Sequence, residues 1–121
     1  MLPIVLHHLE ALFAFDTAAS PRANATRAAL DYIRAQLPRF RIESTDHGDG
    51  AVSLLAMRGQ PRRVFAASLD TVPATAGWTA DPLRLRIADE RAHGLGVCDA
   101  KGAVAALLAV ANATRGDFAL M

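Results

Sequence analysis

Hydrophobic residues recur along this chain with two different periods, and the order in which those periods alternate limits the folds open to it. Residues 2 to 15 place Leu2, Val5, Leu6, Leu9, Leu12 and Phe13 at helical spacing, which predicts an amphipathic first helix. Ser20-Pro21 has the pattern of an N-cap followed by proline at the first helical position. Ala25, Ala28, Ala29, Tyr32, Ile33 and Leu37 then mark the buried side of a second helix, which must end before Pro38. There the period falls to two. Phe40 to Ser44 and Ala51 to Met57 read as the strands of a hairpin around the turn Asp46-His47-Gly48-Asp49-Gly50. Val64-Phe65-Ala66-Ala67 is a short continuous apolar run, the mark of a strand buried on both faces. Leu83, Leu85 and Ile87 alternate with arginines and predict a half-exposed strand. Residues 100 to 113, rich in alanine and leucine, return to a buried helix, and Asp117 to Met121 open a further strand inside which the sequence stops. Helices and strands in this order imply an α/β domain.

Size and charge narrow the function. A chain of 121 residues holds one small domain. It is 52% hydrophobic and 21% charged, the composition of a folded globular protein. Its net charge of +1, from 13 basic and 12 acidic residues, gives no basis for binding nucleic acid or an anionic membrane. The arginine groups at 39 and 41 and at 58, 62 and 63 read as solvated strand ends and turns. With Cys98 as its one cysteine the chain cannot form an internal disulfide, which suits a reducing compartment. The apolar run from Leu2 to Phe15 contains His7, His8 and Glu10 and lacks the layout of a secretion signal. No stretch approaches the ~20 apolar residues of a membrane span, so a cytoplasmic location is expected.

Chemistry concentrates between residues 68 and 102. Asp70 and Asp99 are isolated carboxylates at the ends of apolar runs, where α/β enzymes place site residues just beyond their strands. Ser68 and Asp70, two apart, share a face of an extended segment. Asp99 follows Gly94 and Gly96, which permit close backbone approach, and precedes a helix. Each aspartate also has a structural reading: Asp70 as an Asx turn ahead of Thr71-Val72-Pro73, and Asp99 as the N-cap of the helix. Residue types alone favour those structural readings. Cys98 is expected to be an inert buried thiol, Lys101 a solvated first-turn lysine and Trp78 a packing anchor. His93 stands near the motif as a strand-end ring rather than a ligand, and His7, His8 and His47 have no ligand spacing to another candidate.

Three linked motifs, Ser68-Leu69-Asp70-Thr71-Val72-Pro73, Trp78-Thr79-Ala80-Asp81-Pro82 and Gly94-Leu95-Gly96-Val97-Cys98-Asp99-Ala100-Lys101-Gly102, resemble the N-terminal part of the zinc aminoacylase and carboxypeptidase family. Phe13-Ala14-Phe15-Asp16-Thr17 and the Asp46 to Gly50 turn extend the likeness toward its acetylornithine and acetylcitrulline deacetylase branch, which serves arginine biosynthesis. The resemblance implies a three-layer α/β sandwich, a mixed sheet flanked by helices, with residues 1–121 forming the first part of the catalytic domain and the lid and dimerisation domain absent. It implies hydrolysis of an N-acetyl amino acid with two metal ions, zinc or cobalt, that acidify a bridging water, and a glutamate that shuttles its proton. Family enzymes are often homodimers through the lid.

By resemblance Asp99 corresponds to the metal-bridging carboxylate, Asp70 to the aspartate that orients a histidine ligand, and Ser68 to that ligand's position. Serine departs from the family pattern: a neutral hydroxyl is a poor zinc ligand, and Asp70 then has no ring to orient. The expectation is an inactive fragment of a deacetylase. The alternative is a non-catalytic assembly module that pairs with a partner through an open sheet edge.

Overall fold

The computed structural model describes residues 1–18 and 22–121, excluding the side chains of 22–24. The expected cap at Ser20-Pro21 lies outside the described residues. The elements run α1 (Leu2–Phe13), α2 (Arg22–Ala35), β1 (Arg41–Asp46), β2 (Val52–Arg58), β3 (Arg86–Ala88), β4 (Arg91–His93), a five-residue π-type turn (Val97–Lys101), α3 (Gly102–Ala113) and β5 (Phe118–Leu120). None of the described helices is long and apolar enough to cross a membrane.

Alternation within the hairpin decides which side chains build the core. β1 and β2 are antiparallel in a register running from Arg41 opposite Met57 to Asp46 opposite Val52. The turn between them closes when the Asp46 carboxylate accepts the Gly48 N–H at 2.8 Å and the His47 N–H reaches the Ala51 carbonyl at 2.8 Å. β5 lies antiparallel on the other side of β2, with Ala56 opposite Leu120 and Arg58 opposite Phe118. Period two then places Leu54, Ala56, Phe118 and Leu120 on one face. That face shares a single core with Leu9, Leu12 and Phe13 of α1, Leu30 and Ile33 of α2, Leu37 just beyond it, and Val104, Ala105, Leu108 and Ala111 of α3. Arg58, on the same face, ties the sheet to the end of α3. Its guanidinium donates to the carbonyls of Gly116 and Ala111, each at 2.9 Å, and to Thr114 Oγ1 at 3.0 Å, and lies 4.7 Å from the centre of the Phe40 ring.

Residues 65–67 extend the sheet in parallel beside β5. Phe65 N–H reaches the Ala119 carbonyl at 3.0 Å, Met121 N–H reaches the Phe65 carbonyl at 2.8 Å, and Ala67 N–H reaches the Met121 carbonyl at 2.9 Å. With antiparallel and parallel pairs in one sheet and helices packed upon it, this is the mixed α/β architecture expected from the sequence.

Four local expectations are corrected. The Val64–Ala67 run is an edge rather than a doubly buried strand, with Val64 and Phe65 each 52% exposed. Only residues 86 to 88 of the alternating stretch from Leu83 form a strand, because pairing is confined to the short β3–β4 hairpin. Ala28 is exposed, and so is Leu2, because each lies outside the stripe of its helix that joins the shared core.

Candidate active site

The aspartates outside the 68–102 motifs show what structural carboxylates do here. Asp16 Oδ1 accepts the Ala18 N–H at 3.1 Å, Asp46 Oδ1 that of Gly48 at 2.8 Å, and Asp81 Oδ1 that of Leu83 at 2.9 Å. Each is a local turn of the Asx kind. Neither Asp70 nor Asp99 makes any such bond among the described residues, and the N-terminus of α3 carries no side-chain cap. Asp99 sits inside the Val97–Lys101 turn, with φ −135° and ψ 94°, and its bond to Ala100 is cis. The two structural readings therefore fail at these positions. Both carboxylates are exposed, and neither contributes a hydrogen bond to the fold.

They face a common space. Ser68, Asp70, Asp99, Cys98, Trp78 and the Gly94–Gly96 segment line one cleft of about 490 Å³, together with Thr71, Val72, Pro73 and Leu95. Its two walls are built differently. The Asp70 wall is extended backbone held from beneath by Thr17, which is 2% exposed. Thr17 Oγ1 donates to the Leu69 carbonyl, and the Thr71 N–H donates to the Thr17 carbonyl at 3.2 Å. The Asp99 wall is the turn, closed by Lys101 N–H on the Gly96 carbonyl at 2.8 Å.

Two glycines let these walls approach. Gly94 has φ +149°, and a Cβ there would enter the Phe13 ring; Gly96 has φ +84°, and a Cβ there would stand 2.6 Å from the Thr71 methyl. The Gly-x-Gly motif is therefore a packing requirement of the cleft.

Three expectations about its neighbours are overturned. Lys101 is not solvated: it is 3% exposed, donates Nζ to the Phe15 carbonyl at 2.8 Å and lies 5.1 Å from the centre of the Phe13 ring. Burial pushes its pKa below the ordinary lysine value, and the nearby Asp16 charge partly opposes that shift. Cys98 is exposed rather than buried, because the turn projects it from the junction. Trp78 is 44% exposed on the cleft wall instead of anchoring its loop inside. The pinning of that loop falls to backbone, with Leu95 N–H on the Pro82 carbonyl at 2.7 Å.

The remaining histidines stay outside the cleft lining. His93 Nε2 is buried and has no hydrogen-bond partner among the described residues. His8 is buried in α1 with Nδ1 2.8 Å from the Tyr32 hydroxyl, and burial, then neighbouring His7, lowers its pKa. The sequence put Tyr32 on the buried side of α2 and Thr17 and Lys101 in motifs, but it carried no signal for their hydrogen bonds, since each acts through a partner distant along the chain.

As a metal site the cleft falls short. No group of three or more His, Cys, Asp or Glu side chains able to hold a metal ion is gathered among the described residues. Ser68, Asp70 and Asp99 supply two carboxylates and a neutral hydroxyl, whereas a zinc site needs about four convergent donors, with imidazole or thiolate usual among them. These residues do not by themselves fit the implied metal pair.

Known proteins align with this geometry. The sequence profile of peptidase family M20/M25/M40 matches residues 64–120, the stretch that builds the cleft. The chain is 54% identical over 122 residues to an N-acetyl-L-citrulline deacetylase of Xanthomonas campestris pv. campestris, an alignment covering 100% of this chain and 33% of that protein. It is 45% identical over 92 residues to a succinyl-diaminopimelate desuccinylase of Rhizorhabdus wittichii, covering 74% of this chain and 24% of the relative. Human carnosine dipeptidase 1 shares the fold, with a TM-score of 0.80 and 21% identity over 96% of this chain and 30% of that structure. The chain thus spans from about a quarter to about a third of the length of these proteins.

Proposed function

Because the chain belongs to peptidase family M20/M25/M40, we propose that it is the cleft-forming first segment of a metal-dependent amidohydrolase acting on N-acetyl amino acids, with N-acetyl-L-citrulline or N-acetyl-L-ornithine as substrate. The observation that carries this reading is the pair Asp70 and Asp99, free of hydrogen bonds to the fold among the described residues and lining one cleft. Carboxylates left unused by the fold are available to orient and bind. Asp99 takes the part of the bridging metal ligand and Asp70 that of the orienting carboxylate. Ser68 stands where a histidine ligand is needed.

Zinc, or cobalt in its place, would polarise the amide carbonyl and supply an activated water. Donors from other segments would have to complete the set, so the 121-residue chain alone is inactive in this reading. The activity belongs to arginine biosynthesis and to the cytoplasm, in an enzyme that dimerises through a separate domain.

A chimera tests this. The first third of the Xanthomonas deacetylase is replaced by this chain, and acetate release from N-acetyl-L-citrulline is followed with added zinc or cobalt. Little activity is expected with Ser68, and recovery of at least a hundredfold with Ser68→His. Full activity with Ser68, or none with either residue, contradicts the assignment.

The edge at 65–67 favours a second reading, an assembly module. One side of that segment pairs with β5 while Val64 and Phe65 remain half exposed. Size-exclusion chromatography checks it: concentration-dependent association supports the module, and a monomer at all concentrations removes self-assembly as its form.

A further inference from the structure

The two cleft carboxylates are about thirty positions apart in sequence, yet their walls are fastened to neighbouring residues of one short segment, Phe15 to Thr17. On one side, Thr17 grips the backbone on either flank of Asp70, its hydroxyl donating to the Leu69 carbonyl and its carbonyl accepting the Thr71 N–H at 3.2 Å. On the other side, the Phe15 carbonyl accepts the Lys101 ammonium at 2.8 Å, two residues beyond Asp99. Thr17, Thr71 and Lys101 are 2%, 8% and 3% exposed, so water competes poorly for these bonds. Asp16, between the two grips, accepts the Ala18 N–H at 3.1 Å, and its charge acts on the Lys101 ammonium without a direct hydrogen bond. Phe13 extends the contact, with its ring against Gly94 and beneath the Lys101 ammonium.

We propose that the Phe15–Thr17 corner is a clasp, with Thr17 and Lys101 as positioning residues that fix the separation of Asp70 and Asp99 across the cleft. The clasp deepens the amidohydrolase reading and rests on it for its purpose, because a ligand held by both carboxylates needs their spacing set in advance. Buried lysine nitrogen and threonine hydroxyl are suited to the work. Each satisfies a carbonyl that would otherwise lie unpaired behind the site.

Amide hydrogen exchange in the intact 121-residue chain reads the clasp without needing activity. Lys101→Met keeps a long apolar stem over Phe13 and removes the donor; Thr17→Val removes the hydroxyl at nearly constant shape. The clasp predicts crossed effects: Lys101→Met accelerates exchange at Thr71, and Thr17→Val accelerates it at Lys101, each about fivefold or more, the effect of losing one hydrogen bond. The Ala56 amide in β2 keeps its protection, and Thr17→Ser restores the native rate at Lys101. Acceleration confined to each variant's own wall overturns the proposal. If Lys101→Met also exposes Ala56, the Thr17 pair decides: faster exchange at Lys101 in the valine variant only supports the clasp, and equal rates in both refute it. A chimera inactive with both Ser68 and Ser68→His, with crossed exchange intact, would count against the amidohydrolase reading and leave the clasp standing.

Discussion

The helix-backed sheet and the cleft loops obey different rules. In the first, Leu12, Leu37 and Leu108 are fully buried, and the polar Arg58 is satisfied by three acceptors. In the second, Val72, Trp78, Leu83 and Ile87 stay exposed, and two carboxylates make no bonds to the fold among the described residues. One region spends its side chains on stability. The other holds its backbone with a few buried polar keys and leaves its side chains facing a cavity. Stability and ligand chemistry are therefore written into different residues, and substitutions separate them.

The largest expected effect lies in the first region. Leu108→Ala should cost about 2–5 kcal/mol in a denaturant titration, because α3 cannot collapse into the space left beneath the sheet. A loss below about 1 kcal/mol would show that the core is loosely packed and the contrast overstated. Next come the glycines at the boundary. Gly94→Ala and Gly96→Ala should each cost about 1–3 kcal/mol, since both combine positive φ with an occupied Cβ position. Wild-type stability in both variants would mean that the cleft walls do not need their close approach.

Smaller again is the pair formed by buried His8 and half-buried Tyr32. Tyr32→Phe should cost about 1 kcal/mol by removing the 2.8 Å bond. The pair also has a pH signature. Burial, helped by His7, holds the folded pKa of His8 below its ordinary 6.5, so the unfolded chain takes up the proton first as pH falls. The contribution is complete above about pH 6.5 and is lost as pH drops toward the folded value. A His8→Leu variant should lack this acid limb in thermal melts recorded from pH 7.5 to 5. An identical limb in that variant would assign it to other groups.

How much of this was legible in the sequence follows from the same contrast. Periodicity located α1, α2, the β1–β2 hairpin and α3, because burial on one face leaves a repeating trace. It failed at Val64–Ala67, where an apolar run reads alike whether a second layer covers it or not. The cleft was legible as motif spacing: Ser68, Asp70 and Asp99 do line one space. The burial of Lys101 was not legible, because a lysine's surroundings depend on Phe13 and Phe15, more than eighty positions earlier. Cys98 and Trp78 were misplaced for the same reason, since a turn's projection is set by tertiary contacts that leave no local pattern.

The smallest predicted effect bears most directly on the central claim that Asp70 and Asp99 are reserved for a ligand and hold nothing of the fold together. The measurement is the denaturant midpoint of the double variant Asp70→Asn with Asp99→Asn. The account predicts an unfolding free energy, taken from that midpoint, within about 0.5 kcal/mol of wild type. A destabilisation above about 1.5 kcal/mol would make these aspartates structural and remove the basis for an active site in this cleft.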